Sequence, residues 1–587
     1  MGRYLEGHCG ARLVAGALAA MLLANSGAQA QVAPGQAALP TREDLRPVPE
    51  PARPAGPRLS VVGDIERSPC PLADPKFADV MVPVNSVTFN NLKGISAEEM
   101  RAAWAPYAGT RQPVSVLCEI RDAAATILRD KGYLAAVQVP TQRIENGEIH
   151  MEMLYARVTA VRARGQTGGA ESLIARYLGR LADDEIFDRN KAERYLLLAR
   201  DIPGYNVQLT LKPAGTAPGE LIGEVTVVRR PYTADFSTQN LSSRAVGRWG
   251  GQIKAQVFGL TGMGDATSIS FYSTSDFEEQ QILQIAHEFR IGGEGLKFGG
   301  QFTYAWTEPD IGAGAVPSPL RARTLFATLE TSYPLVRLQA HNLRVGGGLD
   351  VIDQRVNFGA PLSRDRLRIL FARIGGDAVD LSHQSPRWRL AGNIELRKGL
   401  SIFEVSDCTS GCGAGLGPSR SDARATAGLV RAAGVAEIAL GKSLSIAIAP
   451  RVQIAFDPVP AFEEFSAGNY TIGRGFDPGV ISGDSGIGTS VELRGPGVLV
   501  GGVKGLNLHP YMFADGVQIW NLNAAGPARG LLSLGGGVRA EFADRVVFDA
   551  NVAVPADVPI DTTGLRADRR VRFLLTMTAR LLPWSDR

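Results

Sequence analysis

Val571-Arg572-Phe573-Leu574-Leu575-Thr576-Met577-Thr578-Ala579-Arg580-Leu581 changes character with a period of two. Val571, Phe573, Leu575, Met577, Ala579 and Leu581 share one face, whereas Arg572, Thr576, Thr578 and Arg580 share the other. One face suits lipid and the other water, as in a strand of a membrane barrel. Further back, Ile253, Ala255 and Val257 alternate with Lys254 and Gln256 in the same way. Phe298 to Trp306 and Gly537 to Val554 are further strand candidates, set apart by clusters of Gly with Asp or Pro. No long helix is indicated from Thr233 to Arg587. At sixteen strands this region allows about 22 residues for each strand and its connection, of which about ten would be strand. Eight strands would leave long loops everywhere. Trp249, Trp306, Trp388, Trp520 and Trp584 fall here, where an aromatic girdle would need them.

The composition agrees with a turn-rich β protein. Gly makes up 67 of 587 residues, above the usual share of roughly 7%. Lys and Arg (62) nearly balance Asp and Glu (59), so the net charge of +3 offers no general attraction to nucleic acid. After residue 30 no apolar run is long enough for a membrane-spanning helix. A mean hydropathy of -0.01 suits a barrel or a soluble chain alike.

Residues 1–30 read as an export signal. Arg3 and Arg12 precede an apolar run from Leu13 to Ala24, and Ala28-Gln29-Ala30 is a cleavage site that makes Gln31 the first mature residue. Cys70, Cys118, Cys408 and Cys412 then remain, an even number in a chain bound for an oxidising compartment. Three pairings are open, and proximity favours Cys70 with Cys118 and Cys408 with Cys412; no His stands near the second pair to favour a metal site. Residues 31–75 hold ten prolines and read as an extended periplasmic linker. Its best amphipathic segment, Thr41 to Leu45, is too short for a helix stable alone.

Between this linker and the alternating region the pattern mixes helices with short strands. Pro83 stands at the entrance of a strand from Val84 to Phe89, and Ser96 with Glu99 makes a capping box that starts a helix carrying Met100, Trp104 and Tyr107. A second helix places Leu117, Ile120, Ala124 and Ile127 inward and ends at Gly132, before strands near Leu134 to Ile144 and Glu148 to Val158. The order recurs: a strand at Val158 to Ala163, helices at Glu171 to Leu181 and Asp188 to Arg200, and strands at Val207 to Leu211 and Leu221 to Val228. Two β-α-α-β-β units are therefore expected at 76–158 and 159–232, followed by a barrel at 233–587; one larger α+β domain is the alternative.

Three chemical motifs fail on inspection. Gly483-Asp484-Ser485-Gly486 surrounds a serine as in trypsin-like proteases, but no partnering His signature accompanies it, so Gly483 to Gly488 reads as a turn. Gly441-Lys442-Ser443 lacks the leading Gly of a phosphate loop, since Ala436 stands there. His8, His150, His287, His341, His383 and His509 are too dispersed for a local zinc motif. No cofactor, metal or catalytic residue is expected.

Signal, Pro-rich segment, two β-α-α-β-β units and a long alternating region, in that order, resemble the TpsB transporters of two-partner secretion, the haemolysin secretion and activation family. Thr471-Ile472-Gly473-Arg474-Gly475-Phe476-Asp477-Pro478-Gly479 is similar to the family's V-R-G-[YF] loop, carried at Arg474, Gly475 and Phe476, with Gly473 in place of Val. Phe513-Ala514-Asp515 is similar to its F-x-D-x-G wall motif, although Val517 replaces the last Gly. The resemblance implies two α+β POTRA domains followed by a transmembrane antiparallel β-barrel of about sixteen strands, in the outer membrane of a Gram-negative bacterium with the POTRA domains in the periplasm. It further implies that the loop folds into the lumen and that Arg474 pairs with Asp515. The implied partners are a secreted protein of the TpsA type, outer-membrane lipid and, during biogenesis, the barrel-insertion machinery. An outer-membrane insertase shares the architecture, and a passive solute channel or a surface hydrolase are the remaining alternatives. Two departures stand out: the chain ends Pro583-Trp584-Ser585-Asp586-Arg587 instead of on an aromatic residue, and the Pro-rich segment contrasts with the N-terminal plug helix of many members.

Overall fold

The computed structural model describes residues 41–43, 45, 70–217, 219–310, 320–383, 385–406, 416–441, 443–499, 505–523, 528–543, 545–557 and 570–582. The export signal, the Cys408–Cys412 pair and the C-terminal Trp584 lie outside them.

The first α+β unit is built on the Ser96 capping box. The Ser96 side chain accepts from the Glu99 amide at 3.3 Å and Glu99 Oε2 accepts from the Ser96 amide at 2.9 Å. The α-turn Ala97–Met100 then passes into two 3-10 turns, Arg101–Ala103 and Ala105–Tyr107, because Pro106 cannot continue an α-helix. The longer helix Val116–Asp130 buries Leu117, Ile120, Ala124 and Leu128, leaving Ile127 half-buried where it was expected inward. Strand Glu148–Tyr155 lies between Ser86–Asn90, parallel to it, and Ala135–Gln138, antiparallel. Parallel neighbours need a crossover, which the helices supply while covering one sheet face. The single strand expected from Val84 to Phe89 is two: Met81–Val84 pairs with Thr110–Pro113, and the chain breaks at Asn85, which is bonded to the 146–147 turn through its amide and its side chain. Cys70 is disulfide-bonded to Cys118, tying the entrance of the unit to its main helix.

The ammonium of Lys131 bonds Glu99 and, with the Ser96 contacts, holds the Glu99 carboxyl down to about 2. A depressed acid stabilises the fold above its ordinary value of 4.5 and loses that contribution as pH falls through about 2. Amide exchange over residues 97–107, corrected for intrinsic chemistry, should therefore accelerate as pH falls across that window, and Glu99→Gln should flatten the response.

The second unit repeats the plan. Strand Glu220–Arg229 lies between the parallel Arg157–Gly165 and the antiparallel Tyr205–Pro213, and helices Glu171–Gly179 and Arg189–Arg200 bury Leu173, Tyr177, Leu196 and Leu198 against it. This unit is pinned to the near rim of the barrel: Arg337 pairs with Asp201 at 2.6 Å, Tyr195 donates to Glu294 at 2.9 Å, and Arg194 donates to the Pro334 carbonyl at 3.0 Å.

From Tyr232 onward sixteen antiparallel strands form one closed barrel, in which the last, Arg572–Leu582, pairs with the first, Tyr232–Gln239. Closure leaves no strand edge and satisfies every ladder within lipid. Phe573 is 73% exposed on the outer wall while its neighbour Leu574 is 3% exposed inside, as the period-two pattern requires. Trp249, Trp306 and Trp520 stand exposed at strand ends far from the α+β units, and Trp388 stands at the near end. Gly537 to Val554 is not one strand but parts of two, Arg529–Phe542 and Val546–Asp557, which turn at Ala543 with φ 48°.

Part of the expected linker is not in the periplasm. Leu45 is 1% exposed inside the barrel against Tyr272, Phe326 and Phe462, and its carbonyl accepts from Gln284 Nε2 at 3.0 Å. Arg42 lies over the Phe326 ring and Glu43 faces Arg451 at 3.4 Å. The lumen supplies the apolar floor and opposite charges that so short a segment could not provide for itself.

Candidate functional site

The loop between strands Ser445–Ala455 and Ser485–Arg494 turns inward instead of standing outside. Its two arms pair as Phe465–Ala467 with Ile481–Gly483, and residues 468–480 form the tip. Gly473 has φ 118°, a conformation the usual Val would adopt only under strain, and its carbonyl accepts from the Phe476 amide at 2.9 Å to close the turn.

That turn aims Arg474 at the wall. Its Nε and Nη2 donate to Asp515 Oδ2 and Oδ1 at 2.9 and 2.7 Å, a two-pronged match of guanidinium to carboxylate. The Arg474 backbone amide donates to the same carboxylate at 3.0 Å. Nη1 reaches Glu492 at 2.8 Å, Nη2 also reaches Ser490 Oγ at 2.7 Å, and the guanidinium carbon stands 3.5 Å from the centre of the Phe513 ring. Asp515 is 1% exposed, so its charge needs these donors. Phe476 is buried against Phe465, Val517 and Leu531, and Val517, where the wall motif would have Gly, thus forms part of its socket.

Gly475 is fixed by space. A Cβ there would lie 2.8 Å from Ser533 Cβ and 3.0 Å from the Pro555 nitrogen. Overpacking of this kind costs about 1–3 kcal/mol, enough to depopulate the docked tip roughly tenfold. Gly475→Val should leave the barrel folded but expose the Arg474 bond to added trypsin, which the wild type should resist.

All five motif residues therefore come together: Arg474, Phe513 and Asp515 in one contact set, with Gly475 and Phe476 seated beside it. Ser490, Glu492 and Arg539 were missed. Arg539 holds Glu492 at 2.8 Å, packs on Tyr511 and pairs with Asp549 at 2.9 Å, which keeps Glu492 available to Arg474. Glu492 and Arg539 are signalled in the sequence only by charge at inward positions of alternating strands, and Ser490 by nothing.

The base of the loop is anchored as firmly. Arg397 is 1% exposed and donates to Asp350 at 2.7 Å, Glu395 at 2.8 Å and Glu463 at 2.8 Å. Beside it, Arg420 joins the two arms, pairing with Glu464 on the first and Asp484 on the second, each at 2.7 Å. Asp484 accepts further from the Val459 and Leu522 amides. Ser485 is not in a turn but opens a wall strand opposite Trp520, and its Oγ accepts from the Ala455 amide at 3.0 Å. Asp484 and Ser485 are thus structural. Among the described residues no cluster of His, Cys, Asp and Glu suits a metal ion.

A closed sixteen-stranded barrel preceded by two α+β units of the POTRA type and holding an inward loop is the architecture of outer-membrane protein transporters and insertases. The chain belongs to the haemolysin secretion/activation protein family ShlB/FhaC/HecB, whose profile matches residues 225–540, more than half its length. Members of the family work with a secreted partner protein. CdiB from Escherichia coli shares the fold at 16% identity and a TM-score of 0.70, over 88% of this chain and 94% of that one. CdiB from Acinetobacter baumannii does so at 17% and 0.63, over 97% and 96%. BamA from Haemophilus ducreyi lacking POTRA domains 1-3 aligns at 14% and 0.50, over 85% and 100%. No curated protein matches by sequence.

Proposed function

We propose that this transporter carries one or more large exoproteins of the TpsA type, haemolysin- or adhesin-like, from the periplasm to the cell surface. We assign residues 1–30 to the signal, 31–75 to a linker whose residues 41–43 and 45 lie in the lumen, 76–158 and 159–232 to the POTRA domains, and 233–587 to the barrel. The POTRA domains take up the extended partner by adding its strand to a sheet edge. The barrel is the conduit, inserted into outer-membrane lipid by the barrel-insertion machinery. The observation that supports this reading most is the loop tip clamped by Arg474 on Asp515 inside a barrel fed by two POTRA units. Only two such units favour secretion over insertion of other barrels. The loop and the 41–45 segment share the lumen, so passage requires both to give way. Movement is driven by the partner folding outside.

The test is to delete the gene and compare proteins in the medium and on the cell surface, restoring it with the full chain or with residues 76–232 removed. Loss of one or two large proteins, rescued only by the full chain, is expected. A broad fall in outer-membrane barrels would mean an insertase, and no change would mean a channel.

A further inference from the structure

Two lines of contact lead from the N-terminal segment to the base of the inward loop. In the first, Arg42 lies 5.8 Å over the Phe326 ring, and that ring packs on Phe462 of the loop at 5.7 Å between centroids. In the second, Arg42 stands 3.9 Å from Asp350, which binds Arg397 at 2.7 Å, and Arg397 grips Glu463 of the loop with two bonds of 2.8 and 3.0 Å. Leu45 touches the same apolar cluster as Phe462.

The charges of this node are shared. Arg42, Arg397 and Arg431 face Asp350, Glu395 and Glu463, and Arg373 reaches Glu395 from the side. Burial and the nearby Arg397 and Arg431 disfavour the charge of Arg42, and Glu463 on the loop and Asp350 on the wall offset part of that cost. A buried cation with reduced hydration stays only where such compensation is present. The loop thus forms part of the seat of the N-terminal segment.

We propose that Glu463 is a positioning residue that couples the two lumenal elements, so that the loop base holds Arg42 in place and departure of Arg42 loosens the loop base. Coupling between two bound elements is reciprocal by thermodynamic necessity. The node passes a change at the N-terminal segment to the loop without contact at its Arg474 tip. Its consequence for export rests on the conduit reading above, but the coupling itself does not.

The test uses the full chain in detergent and in planar bilayers, with no exported partner present. Amide exchange is followed over residues 461–467 and 41–45, and the frequency of open-channel events is recorded, for wild type, Arg42→Gln, Glu463→Gln and the double variant. Arg42→Gln should speed exchange over 461–467, and Glu463→Gln should speed it over 41–45. Each should raise opening at least about fivefold, the lower end of typical coupling, and the double variant should exceed neither single by more than about twofold. Arg42→Lys, which keeps the charge, should stay near wild type and shows that the variant barrel folds. Unchanged exchange over 461–467 in Arg42→Gln, or effects on opening that multiply in the double variant, would overturn the coupling. Either failure would leave the export reading untouched, because no partner takes part.

Discussion

Arg474→Ala is expected to reduce the amount of exported partner at least tenfold, about what a loss of 1.4 kcal/mol would give, while the barrel remains inserted. The substitution strips Asp515 of its two-pronged partner and removes one donor from Glu492. Breaking one side of a buried pair costs about 3–5 kcal/mol, because the remaining charge stays buried. Glu492 keeps Arg539 and Arg494, so the wall itself should hold and the loss should fall on the docked tip. Arg474→Lys should recover only part of the export, since an ammonium keeps the charge but cannot match both carboxylate oxygens in plane. Asp515→Asn should resemble the alanine variant. The readout is the ratio of partner in the medium to partner in cells, with heat-modifiable migration of the barrel as the control. Export unchanged in Arg474→Ala would show that the tip contact has no part in transport.

Arg397→Ala is expected to have the largest effect on stability. Asp350, Glu395 and Glu463 are 1%, 4% and 3% exposed, and all three accept hydrogen bonds from this one guanidinium. Its removal leaves three carboxylates in a space from which water is largely excluded. The cost of about 3–5 kcal/mol should lower the temperature at which the barrel loses its compact migration by roughly 5 °C, given the unfolding entropy of a barrel of this size. It should also release the loop base, visible as new protease cleavage near Phe462. Neutralising Glu463 in the same chain should recover part of the loss, because it lowers the excess negative charge that Arg373, Arg431 and Arg42 are then left to balance. A melting temperature unaltered in Arg397→Ala would mean that the three carboxylates are solvated after all.

The wall and the tip were readable in the residues for different reasons. A strand between lipid and lumen must alternate, so Phe573 and Leu574 declare their faces locally. Arg474 and Asp515 are 41 residues apart in sequence, yet each sits in a short pattern that marks it. Glu463 and Arg397 carry no such pattern. A buried ion cluster is assembled by the closure of the barrel, and nothing in Phe462-Glu463-Glu464 distinguishes the residue bound by Arg397 from an exposed acid. The turn at Ala543 escaped because it uses a positive φ without Gly or Asn at that position. The placement of Thr41 to Leu45 escaped because its stability comes from the lumen and not from its own sequence.

Reconstitution tests the central claim most directly. The purified chain is placed in lipid vesicles, an unfolded candidate partner identified by the deletion experiment is added outside the POTRA-facing side, and the fraction that becomes protected from protease is measured. Protection that requires residues 76–232 and is lost in Arg474→Ala is the predicted result. Vesicles that protect no partner, yet accelerate insertion of unrelated outer-membrane barrels, would contradict it.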